Sequence, residues 1–206
     1  MKMTHKKEKK TWVPLFFCLA VVLMLAAGCN SGGDNDVPAE TPTQEENPDQ
    51  EENLVQVPVN VSLPGNINLG TLQVISSQSQ TGVTSDGNIT LTRPDNQPFM
   101  VVVNSGDIPV AMTLVLPGRE GNQVSCLDTA VALVLIRTGM TAAPDGIKAE
   151  LIDQIKPITA VKDMADAICT ALSSDITAVA KPDTELKNTL IAAEQAVVDH
   201  LKTLQP

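Results

Sequence analysis

Gly118 and Gly121 bracket the point at which the spacing of apolar residues changes. Before it, Val55, Val57, Val59, Val61 and Leu63 alternate with Gln56, Pro58, Asn60 and Ser62, the period of two that marks a half-buried strand. After it, Val161, Met164, Ile168 and Leu172 recur every three or four residues, the period of a helix with one buried face. One texture on each side of a single boundary defines an α+β chain, with strands first and helices second.

Short runs at 54–63, 71–75, 82–84, 89–92, 99–103 and 110–116 read as six strands. Turn residues separate them: Pro64-Gly65-Asn66, Ser85-Asp86-Gly87-Asn88, the run from Arg93 to Pro98, and Asn104-Ser105-Gly106-Asp107. Pro58 lacks an amide hydrogen and places the first strand at a sheet edge. Strands this short and this regularly spaced predict a small antiparallel β-sandwich over residues 54–118. The passage 82–91, Gly-Val-Thr-Ser-Asp-Gly-Asn-Ile-Thr-Leu, with the apolar strand at 99–103, resembles transthyretin-like, carboxypeptidase-regulatory-like β-domains of exported bacterial proteins. The resemblance implies an Ig-like or transthyretin-like sandwich. It carries over no functional residue, because the early Gly and Pro-Leu and the late Gly-Tyr of that family are missing.

Residues 119–206 predict a four-helix region. Ser125 with Asp128 resembles a capping box, opening a helix that ends at Gly139. Its run Val131-Ala132-Leu133-Val134-Leu135-Ile136 is apolar on all sides, as a buried helix or a central strand would be. Ile147, Leu151, Ile152 and Ile155 make the stripe of a second helix, stopped by Pro157. The third carries the stripe at 161–172, with Cys169 beside it. Pro182 and Asp183 open a fourth, in which Leu186, Leu190, Ala193, Val197, Leu201 and Leu204 share a face.

The N-terminus has a different character. Lys2, Lys6, Lys7, Lys9 and Lys10 precede an apolar segment at 13–27, the layout of a signal peptide. That segment is shorter than the roughly 20 residues that cross a bilayer core. It ends in Leu25-Ala26-Ala27-Gly28-Cys29, which resembles the lipobox of bacterial lipoproteins, with Ala26 where that family favours Leu, Val or Ile. The resemblance implies cleavage between Gly28 and Cys29, diacylglycerol on the Cys29 thiol and acylation of its amino group. It also implies outer-membrane sorting, since Asn30 and not Asp follows the cysteine. An ordinary secretory signal cleaved near Ala27 is the alternative.

Residues 1–28 are thus expected to leave as the signal, and 29–53 to form a lipidated, disordered acidic tether. Of 14 basic and 24 acidic residues, the leader takes five and one, leaving nine against 23. Phosphate binding needs clustered Lys and Arg, so nucleic acid is excluded as a partner. Two cysteines remain, Cys126 and Cys169. Exported proteins enter a disulfide-permissive compartment, and a bond closing a loop of about 43 residues would stabilise by roughly 4 kcal/mol. A Cys126–Cys169 disulfide is expected over two buried thiols.

Chemistry-bearing residues are sparse. His200 is the one imidazole beyond the leader, near the end of a helix that reads as structural. Neither a Gly-x-Ser-x-Gly elbow nor zinc or haem spacing is present, so no metal and no cofactor is expected. Asp163 and Asp166 share a helix face beside Lys162 and read as solvated surface. Asp34-Asn35-Asp36 and Asp86-Gly87-Asn88 fall short of a calcium loop. With no Tyr, and with Trp12, Phe16 and Phe17 in the leader, Phe99 is the sole aromatic left. That disfavours sugar or base stacking and an aromatic interface hot spot. The expectation is a lipid-anchored, non-catalytic envelope protein that meets a protein partner. A lipoprotein binding a small apolar ligand between sandwich and helices is the alternative, and an Asp/Glu hydrolase a third.

Overall fold

The computed structural model describes residues 54–77, 79–93 and 97–204. The signal, lipidation and tether calls at 1–53, Gly28 and Cys29 among them, lie outside the described residues. The described chain is α+β, with a two-sheet β region followed by four helices.

The strands are β1 (Val55–Val61), β2 (Gln73–Ser76), β3 (Gln80–Gly82), β4 (Asn88–Arg93), β5 (Phe99–Ser105), β6 (Ile108–Val115) and β7 (Gln123–Val124). One sheet runs β4-β1-β7 and the other β3-β2-β5-β6. All pairings are antiparallel except β1 with β7, which is parallel and holds only at Asn60–Gln123 and Val61–Val124. β7 is a seventh strand beyond the six expected, and it carries the β region to Val124, past the boundary read at 118. Its two residues are too few to show a period.

Pro58 sits where its ring costs least. The Val61 amide points to β4 and bonds the Gly87 carbonyl, while the Asn60 and Ser62 amides point the other way, to Asn122 and Val124. By that alternation the Pro58 nitrogen faces the β7 side, and β7 stops short of it. The strand is therefore central at one end and an edge at the other.

Val57, Val59, Val61, Ile89 and Leu91 of the first sheet and Val74, Phe99, Val101, Val103 and Val115 of the second are buried in one core. Arg93 at the end of β4 is buried too, its guanidinium 4.3 Å from the Phe99 ring centre and donating to Ser77 Oγ. The outer faces differ. On the first sheet, Gln56, Pro58, Thr90 and Thr92 are exposed. On the second, Ile75, Val102 and Met112 lie in register across three strands, with Met100 opposite Leu114 in the next row, and all five are half-buried.

The helices are α1 (Cys126–Arg137), α2 (Asp145–Ile155), α3 (Thr159–Ser174) and α4 (Thr184–Thr203). α1 starts as expected. Ser125 Oγ accepts the Asp128 amide, and Gly139, in the left-handed conformation at φ 73°, follows the last turn. The helix packs against β6, α3 and α4, which is why its residues are apolar on all sides. It runs along the open edge of β6, where Thr129 Oγ1 accepts the Met112 amide at 3.2 Å. The strand alternative for this segment is excluded. Val161, Met164, Ile168 and Leu172 of α3 are buried, as are Leu186, Ala193 and Val197 of α4. α2 departs from its expected stripe: Ile152 and Ile155 are buried, but Ile147 is 45% exposed. Leu204 is exposed as well, where α4 runs past the core.

Candidate functional site

Cys126 and Cys169 are bonded, with their α-carbons 5.6 Å apart. The bond fastens the first residue of α1 to α3, so the cysteines tie structure together and offer no free thiol. Phe99 is buried in the core and presents no stacking surface. His200 is half-buried in the last turn of α4, where its carbonyl accepts the Thr203 hydroxyl. Asp163 and Asp166 are both exposed on α3. Asp34 and Asp36 lie outside the described residues.

Asp86 is a turn residue. Its carboxylate accepts the Thr84 hydroxyl and the Asn88 side-chain amide, and these bonds, Thr84's first, hold its pKa below the ordinary 3.8. Both oxygens are spent on the turn. Among the described residues, no three His, Cys, Asp or Glu side chains gather to hold a metal ion. Among them also, no helix is long and apolar enough to cross a membrane.

Clefts open at several places among the described residues, three of them lined by charged side chains. The first, about 370 Å³, lies between the end of α3 and the start of α4. Ala167, Ala171 and Leu186 form its floor, and Asp175, Lys181, Asp183 and Glu185 its rim. Two of those carboxylates serve the backbone. Asp175 accepts the Thr177 amide and hydroxyl at 2.8 Å each, which lowers its pKa, and Asp183 accepts the Leu186 amide at 2.8 Å as the cap of α4.

The second cleft lies at the seam between strands and helices and holds about 40 Å³, room for one water. Thr113, Asn122, Asp128 and Lys156 line it. Asp128, nearly buried, takes Lys156 Nζ at 2.7 Å while also receiving the Ser125 hydroxyl. The capping box singled out Asp128, but its partner Lys156, the residue that follows α2, had no signal, since a lysine near a helix end usually faces water. The third cleft is an open groove of about 670 Å³ between Pro98, Leu116 and Pro117 on one side and Ala149 of α2 on the other, bridged by the Arg119–Asp153 ion pair.

An apolar ligand would need a cavity walled by Val, Leu, Ile and Met. The seam cleft holds only about 40 Å³ and mixes polar with apolar side chains in its lining, so it lends that reading no support. Of the carboxylates that line these clefts, Asp175 and Asp183 accept backbone amides, Asp128, Asp145 and Asp153 are ion-paired, and Glu185 stands exposed in the first turn of α4.

Comparison with protein-family models, with curated proteins and with solved structures finds no match to this chain.

Proposed function

We propose that the chain is a lipid-anchored protein of the bacterial cell envelope, acting without catalysis as a structural or interaction module at the outer membrane. The observation that carries this reading is the sequence Leu25-Ala26-Ala27-Gly28-Cys29 behind a basic and then apolar leader. The Cys126–Cys169 bond supports it, because such bonds persist in oxidising compartments and are rare in the cytosol. Two or three acyl chains on Cys29 would anchor the protein stably, at about 0.8 kcal/mol per buried methylene, where one would not.

Mass analysis of the mature N-terminus tests the reading. A diacylglyceryl Cys29 as first residue is expected. An unmodified N-terminus created near Ala27 would replace the anchor with plain secretion. Cross-linking in intact cells, with Cys29→Ser as the unanchored control, then tests for an envelope partner that depends on the anchor.

A further inference from the structure

The turn that holds Asp86 runs into a pattern that reaches past it. Asn88-Ile89-Thr90 is an Asn-x-Thr triplet, the acceptor pattern for an N-linked oligosaccharide in an exported chain. Asn60-Val61-Ser62 is a triplet of the same kind, and Asn60 lies directly opposite Asn88 where β1 pairs with β4. The two are not equivalent. Asn88 and Thr90 are both exposed, and as residues two apart on a strand they share one side, the polar outer face with Gln56, Pro58 and Thr92. Asn60 is half-buried between strands, with Asn88 on one side and Gln123 on the other, and its side-chain amide donates to Asn88 Oδ1 at 3.1 Å. Asp86 stands two residues before Asn88 and gives that triplet a charged grip, whereas Pro58 holds the same place before Asn60.

We infer that Asn88 is an attachment site for an oligosaccharide, transferred to its side-chain nitrogen on the outer side of the bacterial inner membrane as the chain emerges there. The inference rests on the export reading above and not on the lipid. The donor is an oligosaccharide carried as the pyrophosphate of a polyprenyl lipid. A bond forms from Asn88 Nδ2 to the first carbon of the sugar as the bond from that carbon to the pyrophosphate oxygen breaks. The lipid pyrophosphate leaves with the electron pair and one Nδ2 proton passes to a base of the transferase, so nothing is oxidised or reduced. In the folded chain the Asp86 carboxylate is taken up by Thr84 and Asn88. The transferase therefore meets this segment before the turn closes, while that carboxylate is free.

The folded chain has room for the product. Asn88 Nδ2 carries two hydrogens. One goes to Asp86 Oδ2 at 2.7 Å, and among the described residues no acceptor takes the other. A sugar replaces the spare hydrogen, and the turn keeps its bond. The outer face of this sheet is also where a bulky polar group costs least, since its Thr90 and Thr92 are already exposed. The second sheet, whose outer face carries half-buried Met100, Val102 and Met112, has no such triplet in its strands.

The test takes the full chain from the cells that make it and reads Asn88 and Asn60 separately by tandem mass spectrometry, beside gel mobility. In the parent, Asn88 carries added sugar mass and Asn60 carries none. Asn88→Gln and Thr90→Ala lose that mass and run faster, while Thr90→Ser and Asn60→Gln keep it and run with the parent. Thr90→Ala leaves Asn88 and its bonds to the turn in place, so loss of sugar there reports recognition of the hydroxyl and not a failure to fold. Sugar at Asn60 in place of Asn88, or sugar that survives Thr90→Ala, would overturn the inference. Bare Asn88 in chains that have lost residues 1–28 would overturn it and leave the envelope reading standing. Bare Asn88 in chains that retain residues 1–28 would overturn both.

Discussion

Thr129 Oγ1 in α1 accepts the Met112 amide of β6 and donates to the Ser125 carbonyl at 2.8 Å. A helical side chain thus supplies the acceptor that a neighbouring strand would otherwise give. Thr129 is fully buried, so no water can take over the bond. Thr129→Val keeps the shape and leaves the Met112 amide unpaired, with an expected loss of about 1–3 kcal/mol. Urea unfolding measures it, and Thr129→Ser, which keeps the hydroxyl, recovers most of the loss. Equal stability of the Val variant and the parent would count against the bond.

Gly87 has no room for a side chain. At φ 81° it approaches the Val61 carbonyl so closely that a β-carbon would overlap that oxygen, while Gly139, at φ 73°, faces open space. Gly139→Ala is expected to cost about 1 kcal/mol for the left-handed conformation alone. Gly87→Ala adds a clash with backbone that is pinned by the Val61–Gly87 hydrogen bond, and should cost at least about 2 kcal/mol. The two melting curves, run side by side, decide it by their order.

The bond between Cys126 and Cys169 spans a sequence separation of 43. Replacing both with Ala should lower stability by about 4 kcal/mol in the chain-entropy account. Reductant should shift the parent in the same direction and leave the double variant unmoved. A variant as sensitive to reductant as the parent would sink the assignment.

Asp128 and Lys156 join α1 to α2 across the seam, with the lysine 38% exposed and free to turn to water if its partner goes. Asp128→Asn retains a polar group beside Ser125 and should cost only about 1 kcal/mol, below the range for a fully buried pair. A double-mutant cycle with Lys156→Met isolates the pair, and a coupling indistinguishable from zero would refute it.

Acid should weaken the fold through particular turns. Hydrogen bonds from Thr177 hold the Asp175 carboxyl below its ordinary 3.8, and those from Thr84 and Asn88 do the same for Asp86. A depressed carboxyl stabilises fully above its unfolded value, and the contribution is lost as pH falls through the folded one, hence below about 4. Asp175→Asn should therefore show a shallower decline in urea midpoint between about pH 4 and pH 2 than the parent. Parallel declines would remove Asp175 from the account.

The elements legible in the sequence are those whose pattern repeats. Val57, Val59 and Val61 gave away β1, and the stripe of α3 proved buried at all four positions. Caps were legible for the same local reason, as Ser125 and Asp183 show. What depends on distant neighbours was not. Ile147 fits the stripe of α2, yet this end of the helix stands beside the open groove at Pro98 and Pro117 and has nothing to bury it. β7 is two residues long and pairs only with Asn60 and Val61 of β1, so its strand character comes from a distant neighbour. Of the site chemistry, the Cys126–Cys169 pairing was readable from compartment and number. The Asp128–Lys156 contact was not, because it depends on how α2 settles against α1.

α1 is the last wall of the strands and the first wall of the helices. The change of texture at Gly118–Gly121 invites a division there, but β6 would then lose the helix that shields its edge, and α3 the partner to which it is bonded. Each half, expressed without the other, is expected to be less stable than in the whole chain. Recombination between relatives of this chain should spare residues 108–137 as one block, although the change in sequence texture falls within it.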